Sequence, residues 1–255
     1  MRPTVKQPQR APWWVFAIAG AFISFYALLL YCDLNRPADE GFHLRPTARG
    51  LAVESVHAGS PAEAAGIRTG DVVSAADGRP VSSRLDWSTV SGNVRFGTPT
   101  RLTVVRGDRE LRLDIGHEPA TWRHWTTRQG AGLLISRAVQ FVALALGVVI
   151  LGRRRDAVAR LGAWVLGSFG VFYVVVPYRF FAVWRGLPAL GREALWLPFA
   201  STTFIPALLL SFFLSFPVRR VRSPWGWALL WLPLIVAAGP YFRFQGTVLY
   251  APQAA

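Results

Sequence analysis

The chain is poor in the residue types from which covalent and catalytic chemistry is usually built. One cysteine, Cys32, occurs in 255 residues, so neither an intramolecular disulfide framework nor a cysteine-based zinc site can form. There are four histidines, at positions 43, 57, 117 and 124. None begins His-Glu-x-x-His, because His117-Glu118 runs into Pro119 and position 121 is threonine. That excludes the helical zinc-protease arrangement, which needs two histidines on one face. Gly-x-Ser-x-Gly, a rhomboid-like Gly-x-Ser-Gly, a Walker sequence and a dinucleotide fingerprint are also missing. Acidic residues number only 14, and just Asp156 and Glu193 lie outside residues 33–130. A proton- or cation-coupled transporter usually carries an acid within a span, and no apolar segment here contains one. His57, Ser60 and Asp71 could be drawn as a triad, but Ser60 is better explained as a helix cap.

Charge as a whole is scarce, at 16% against about 25% in soluble domains. Hydrophobic residues make up 52%, tryptophans number 11 and the mean hydropathy is +0.31. This composition excludes intrinsic disorder and points to a membrane. Five apolar segments approach or reach the roughly 20 residues that span a bilayer. They are 11–32, 133–152, 161–178, 194–218 and 224–242. The first has a basic start and a long apolar core with no small-x-small cleavage site after it, as in an uncleaved signal anchor.

The net charge is +14, and all but Lys6 of the 28 basic residues are arginine. Such basicity suits nucleic acid in principle, but its distribution does not. Residues 33–130 hold 13 arginines and 12 acids. The excess sits beside apolar segments: Arg2, Lys6 and Arg10; Arg153, Arg154, Arg155 and Arg160; Arg219, Arg220 and Arg222. These are positive-inside loops. They place the N-terminus in the cytoplasm, residues 33–130 outside, and two helical hairpins after them. Membrane lipid is therefore an expected partner and nucleic acid is not. Prolines at 177, 198, 206, 233 and 240 suggest kinks, and Ala163-x-x-x-Gly167 suggests close helix contact. Arg137 is expected to snorkel to the outer interface near Trp122 and Trp125.

Residues 41–116 have a different grammar. Strands are expected over 51–56, 71–75, 101–106 and 110–115, the last two as a hairpin about Gly107-Asp108. Ser60-Pro61-Ala62-Glu63 is a capping box that Gly66 ends within a turn. Ser83-Arg84-Leu85-Asp86 is a second box, opening a helix to about Gly92. The run Gly59-Ser60-Pro61-Ala62-Glu63-Ala64-Ala65-Gly66-Ile67-Arg68-Thr69-Gly70-Asp71-Val72-Val73, followed by Asp77-Gly78-Arg79-Pro80-Val81, closely resembles the core of bacterial PDZ domains. Such domains occur in HtrA-type proteases, tail-specific proteases and site-2 metalloproteases. These residues specify the fold rather than touch a ligand.

The resemblance implies a ligand site at Gly41-Phe42-His43-Leu44, which looks like the carboxylate-binding loop of PDZ domains. There, successive backbone N–H groups capture a C-terminal carboxylate and an extended peptide pairs with the strand that follows. Phe42 and Leu44 would line the pocket for the last side chain. Leu85 and Thr89, one turn apart on the second helix, would form the other wall. His43 stands where the family often has glycine, and Pro46 cannot donate a ladder hydrogen bond, so the pairing strand is expected to be brief.

The fold class expected is mixed: an α-helical transmembrane bundle of about five spans with an inserted small α+β PDZ-like domain. The divisions are 1–32 for the N-terminus and anchor, 33–118 for the outer domain, 119–130 for a linker and 131–255 for about four membrane helices. The second half weakly resembles membrane regions of bacterial multi-span signalling proteins, some of which carry a histidine kinase or a SpoIIE-type serine phosphatase. The expected function is recognition of peptide or protein C-termini outside the bacterial inner membrane, in a sensory or scaffolding role with a membrane-embedded or cytoplasmic signalling partner. Alternatives are the input region of such a signalling enzyme and an adaptor of an envelope protease system. No catalytic residue, metal or cofactor is expected.

Overall fold

A computed structural model describes residues 12–154, 156–217, 220–221 and 223–250. The basic residues Arg2, Lys6, Arg10, Arg155, Arg219 and Arg222, the ends of the first and fourth apolar segments at 11 and 218, and the tail 251–255 lie outside the described residues. In chain order the elements are α1 (Trp13–Leu34), β1 (Phe42–Thr47), β2 (Gly50–Val56), α2 (Pro61–Ala64), β3 (Val72–Ala76), β4 (Arg79–Pro80), α3 (Arg84–Asn93), β5 (Thr100–Arg106) and β6 (Arg109–Ile115). A 3₁₀ turn (Trp122–Thr126) follows, then α4 (Arg128–Arg153), α5 (Ala157–Gly170), α6 (Phe180–Gly186), α7 (Ala189–Thr203), α8 (Ile205–Ser215) and α9 (Pro224–Tyr250). They form two compact units. One comprises 12–27, 137–172 and 189–243; the other comprises 28–136, 173–188 and 244–250.

The first unit is helical. α1, α4 and α9 are each long and apolar enough to cross a membrane, and α7 with α8 makes a fourth such element only if the pair counts as one bent span. This is fewer than the roughly five spans expected, and the reasons are local. The segment 161–178 stays helical only to Gly170, so α5 has 14 residues. The segment 194–218 breaks at Phe204 with a bend of 68°. Pro206 sits in the first turn of α8, a position where its missing N–H leaves no helical hydrogen bond unmade. The small-residue stripe does what it promised. A Cβ on Gly147 would lie 2.9 Å from the Ala163 carbonyl, and Gly167 receives the Phe22 ring. Arg137 departs from expectation: it is buried and donates to Gln140 Oε1 at 2.6 Å instead of snorkelling.

The second unit is built on a sheet in the order β1-β2-β3-β5-β6, with β4 paired to β3 and every pairing antiparallel. Its core is Leu51, Val53, Val73, Leu102, Val104 and Ile115, the inward residues of strands whose side chains alternate between faces. Both helix starts are capped as the sequence indicates. The Ser60 side chain accepts from Glu63 N–H, and Ser83 and Asp86 complete a reciprocal box. Gly66, at φ +84°, ends α2 in a conformation that favours glycine.

Asp71 ties the strands together. Its carboxylate accepts two hydrogen bonds from Arg106, at 2.7 and 2.8 Å, and one from Arg68 N–H at 2.8 Å. Burial alone would raise its pKa, but the hydrogen bonds from Arg106 and Arg68 and their positive charges hold the carboxyl below its usual range. A depressed folded-state value contributes stability above the unfolded value near 4, and that contribution is lost as pH falls through the folded value. Asp71→Asn is expected to lower the local stability of β2 and β3 by about 2 kcal/mol, read as hydrogen–deuterium protection in the full chain at pH 7. The difference from wild type should shrink as pH falls below about 4.

Candidate peptide-binding site

β1 is an edge strand, paired with β2 on one side only. Which of its backbone groups face outward follows from the register. Thr47 opposes Gly50 across a two-residue turn, Pro46 opposes Leu51, Arg45 opposes Ala52 and Leu44 opposes Val53. In such a hairpin the closing pair is hydrogen-bonded and the pairs alternate thereafter. Leu44 and Pro46 therefore belong to non-bonded pairs and turn their backbone groups away from β2. Val53 supplies an independent check, because its N–H donates to Asp71 O at 2.8 Å and its carbonyl accepts from Gly70 N–H at 2.9 Å. With Val53 committed to the opposite side, the N–H and C=O of Leu44 lie on the open edge. Pro46 is the next outward position and offers a carbonyl but no donor. The strand is six residues long, longer than the proline suggested, because the missing N–H is lost from the open edge and not from the β1–β2 ladder.

Gly41 opens the strand. Its φ is +77°, and a Cβ there would stand 2.2 Å from Ser60 Cβ, so glycine is required both by conformation and by the close approach of α2. Its N–H donates to Asp39 Oδ1 at 3.0 Å and its carbonyl accepts from His57 N–H at 2.7 Å. These contacts fix the turn and leave the residues after it to meet a ligand. Phe42 and Leu44 are half-buried and pack on the core, whereas His43 is exposed, with its ring edge-on to His57 at 5.3 Å.

α3 adds an aromatic contact to β1. Phe42 meets Trp87, with ring centroids 5.6 Å apart in an edge-to-face arrangement. Leu85 is 56% exposed, and Thr89 lines a separate cavity on the β4 side of the helix. The structure thus brings Phe42 together with Trp87, a residue the sequence reading did not name. Trp87 lies two positions after Leu85 in sequence, and so about 200° around the helix. The capping box located the helix without fixing which face turned to β1.

Behind the loop lies a buried polar pair. Glu40 and His117 are both buried, with Glu40 Oε1 3.4 Å from His117 Nδ1, while His117 Nε2 lies 2.8 Å from Thr100 Oγ1. Burial, with the nearby Asp39 charge, pushes the Glu40 carboxyl up to about 7. Burial also lowers His117. Both shifts favour neutral side chains, with His117 held to Thr100 through Nε2 while Nδ1 has no hydrogen-bond partner. A raised carboxyl contributes stability that is complete below its unfolded value and is lost as pH rises through the folded value. His117 acts in the opposite sense: its contribution is present above about 6.5 and is lost as pH falls through its lower folded value. Between pH 6 and 8 the hydrogen-exchange protection factors of residues 38–44 are therefore expected to fall in wild type as Glu40 ionises. Glu40→Gln should remove that fall. An equal pH dependence in the two proteins would show that Glu40 is already charged at pH 6.

Among the described residues, no group of three His, Cys, Asp or Glu side chains is placed to hold a metal ion. Residues 38–116 match the family described as PDZ domain. The same region is 39% identical over 81 residues to the putative serine protease HhoA of Synechocystis sp., covering 32% of this chain and 20% of that protein. It is 32% identical over 90 residues to a probable periplasmic serine endoprotease, DegP-like, of Pseudomonas fulva, covering 34% and 19%. The chain spans about a fifth of the length of these relatives. Among solved structures, the HtrA3 PDZ domain bound to a phage-derived ligand (FGRWV) matches at 26% identity and a TM-score of 0.27, covering 32% of this chain and 86% of that one. Residues 38–116 thus form a PDZ domain of the HtrA/DegP type, and the similarity to those proteases is confined to about a third of this chain.

Proposed function

We propose that the chain is an integral membrane protein whose PDZ domain binds the C-termini of peptides or proteins outside the bacterial inner membrane. The observation that carries this reading is the outward-facing backbone of Leu44, on an open edge strand flanked by Phe42 and Trp87. An extended peptide adds to such an edge through main-chain hydrogen bonds, and its side chains are read by neighbouring pockets. Gly41 sets the turn from which the N–H groups of the following residues would meet a terminal carboxylate. The apolar helices α1, α4 and α9 would anchor the protein. The role is recognition, either sensory or as a scaffold. An adaptor role beside an envelope protease is favoured over the input region of a kinase or phosphatase by one finding, that the matched domain is shared with proteases, including a probable periplasmic one.

The test is titration of the full chain in uncharged detergent micelles with a C-terminal peptide library, using amidated peptides as controls. Binding is expected only with the free carboxylate and is expected to weaken on Trp87→Ala. Equal binding of amidated peptides would sink the carboxylate reading. Pro46→Ala restores an outward N–H one position beyond Leu44 and is expected to tighten peptide binding about threefold to tenfold, the net worth of one main-chain hydrogen bond. An unchanged or weaker affinity would mean that the peptide does not run along β1.

A further inference from the structure

The same unit holds a second concavity, beside α3 and the β3–β4 hairpin. Its volume is about 400 Å³, and it is bounded by the β3–β4 hairpin, α3, Arg185 of α6 and the last turns of α9. The apolar part of its wall includes Val81, Val90, Phe244 and Val248. The polar part includes Arg79, Thr89, Asn93 and Arg185.

The charges are unbalanced at Arg185. Its guanidinium donates to Asn93 Oδ1 and, at 3.5 Å, weakly to the Val248 carbonyl. Neither partner carries charge. Burial, then the positive charges of Arg95 and Arg79, push Arg185 below its usual value, so three cations converge on one place. None of the three makes an ion pair among the described residues. Asp77 and Asp86 line the same cavity, and their carboxylates are engaged by neighbouring donors instead of by Arg79 or Arg185. Asp86 Oδ2 accepts from Ser82 N–H, Ser83 N–H and the Ser82 hydroxyl, and Asp77 Oδ1 accepts from Arg101 N–H at 2.9 Å. A partly buried guanidinium crowded by like charge, with no carboxylate in ion-pair contact, is stabilised by an anion. Arginine forks suit phosphate oxygens, and the amide of Asn93 and hydroxyl of Thr89 add neutral hydrogen-bonding groups beside them.

We propose that this cavity binds a phosphate-bearing anion with an apolar body, its phosphate on Arg185 and Arg79 and its apolar part against Phe244 and Val248. An anionic phospholipid has both parts. α9 has 27 residues, about 40 Å of helix at 1.5 Å per residue, which exceeds a hydrocarbon core of about 30 Å. Phe244 and Val248 fall in its last two turns, where a spanning helix reaches the headgroups. That choice of source rests on the membrane reading above; the arginine cluster does not.

The experiment titrates the full chain, in uncharged detergent, with phosphatidylglycerol, phosphatidylcholine and glycerol phosphate. Hydrogen–deuterium protection of residues 79–93 is the readout. Phosphatidylglycerol is expected to protect this region at about tenfold lower concentration than phosphatidylcholine. Arg79→Gln and Arg185→Gln should each raise its half-saturation about tenfold, while Arg84→Gln, an exposed α3 position outside the cavity wall, should leave it unchanged. Glycerol phosphate saturating as readily as the lipid would support the phosphate site and assign it to a soluble ligand. Much weaker binding of glycerol phosphate would support the lipid. Indistinguishable responses to the two lipids with no response to glycerol phosphate, or Arg79→Gln behaving like Arg84→Gln, would overturn the proposal. If Arg185→Gln fails to fold, Arg79→Gln decides, because Arg79 makes no ion pair in the folded domain. Peptide titration of the same samples keeps the two sites apart, since loss of either ligand leaves the other measurable.

Discussion

The geometry of the peptide edge depends on how Asp71 is held. Its side chain is pinned by Arg106 and Arg68, and its main-chain carbonyl takes the N–H of Val53. With Gly70 taking the other main-chain group of Val53, β2 is bonded on that side at this position. The partner of Val53 in β1, Leu44, is then left with its main-chain groups outward. A one-residue slip would turn the side chains of β1 to the wrong face. The carboxylate of Asp71 thus reaches the peptide edge through two strands, without touching any residue a ligand would meet.

Much of the PDZ domain was legible because its signals are local. Ser60 and Ser83 announce helix starts, Gly66 announces a stop, and Gly107-Asp108 announces a hairpin. Each works within four residues, and each appears where the sequence put it. Leu44 was legible by resemblance, and the consequence of Pro46 was only half legible. That proline cannot donate is a property of the residue, whereas the side of the strand that loses the donor depends on the register of the β1–β2 hairpin. The contact of Trp87 with Phe42 was least legible. Finding it needs the rotation of α3 about its axis, which depends on what packs beneath it.

The helical half divides in the same way. Hydropathy found α1, α4 and α9, whose lengths need nothing but their own residues. It could not find the end of α5 at Gly170, nor the bend between α7 and α8, because an apolar segment reads alike whether straight or broken. Pro206 was visible, but prolines at 198, 233 and 240 are accommodated within helices. Position decides: Pro206 falls at the first turn of a new helix, where its missing N–H costs nothing. The segment after Gly170 was read as the outer end of a span, yet it joins the PDZ unit. Arg179 N–H donates to the Ser91 carbonyl, and Phe181 stands where any side chain on Gly92 would be.

That added packing bears on how the groove acts. α3 is fixed at its start by the Ser83–Asp86 box and near its end by Arg179, by Arg185 through Asn93, and by the Phe181 ring on Gly92. A ten-residue helix is too short to be stable by itself in water, so these contacts, together with Trp87 and Val90 on the core, hold it in place. A wall held at both ends is poorly suited to swing as a lever when a peptide arrives. It is better suited to present Trp87 at a fixed distance from β1, so that little ordering is left for the ligand to bring about. In the proposed complex, affinity would come from preorganisation, and selectivity from the ligand side chain that packs against the joined rings of Phe42 and Trp87.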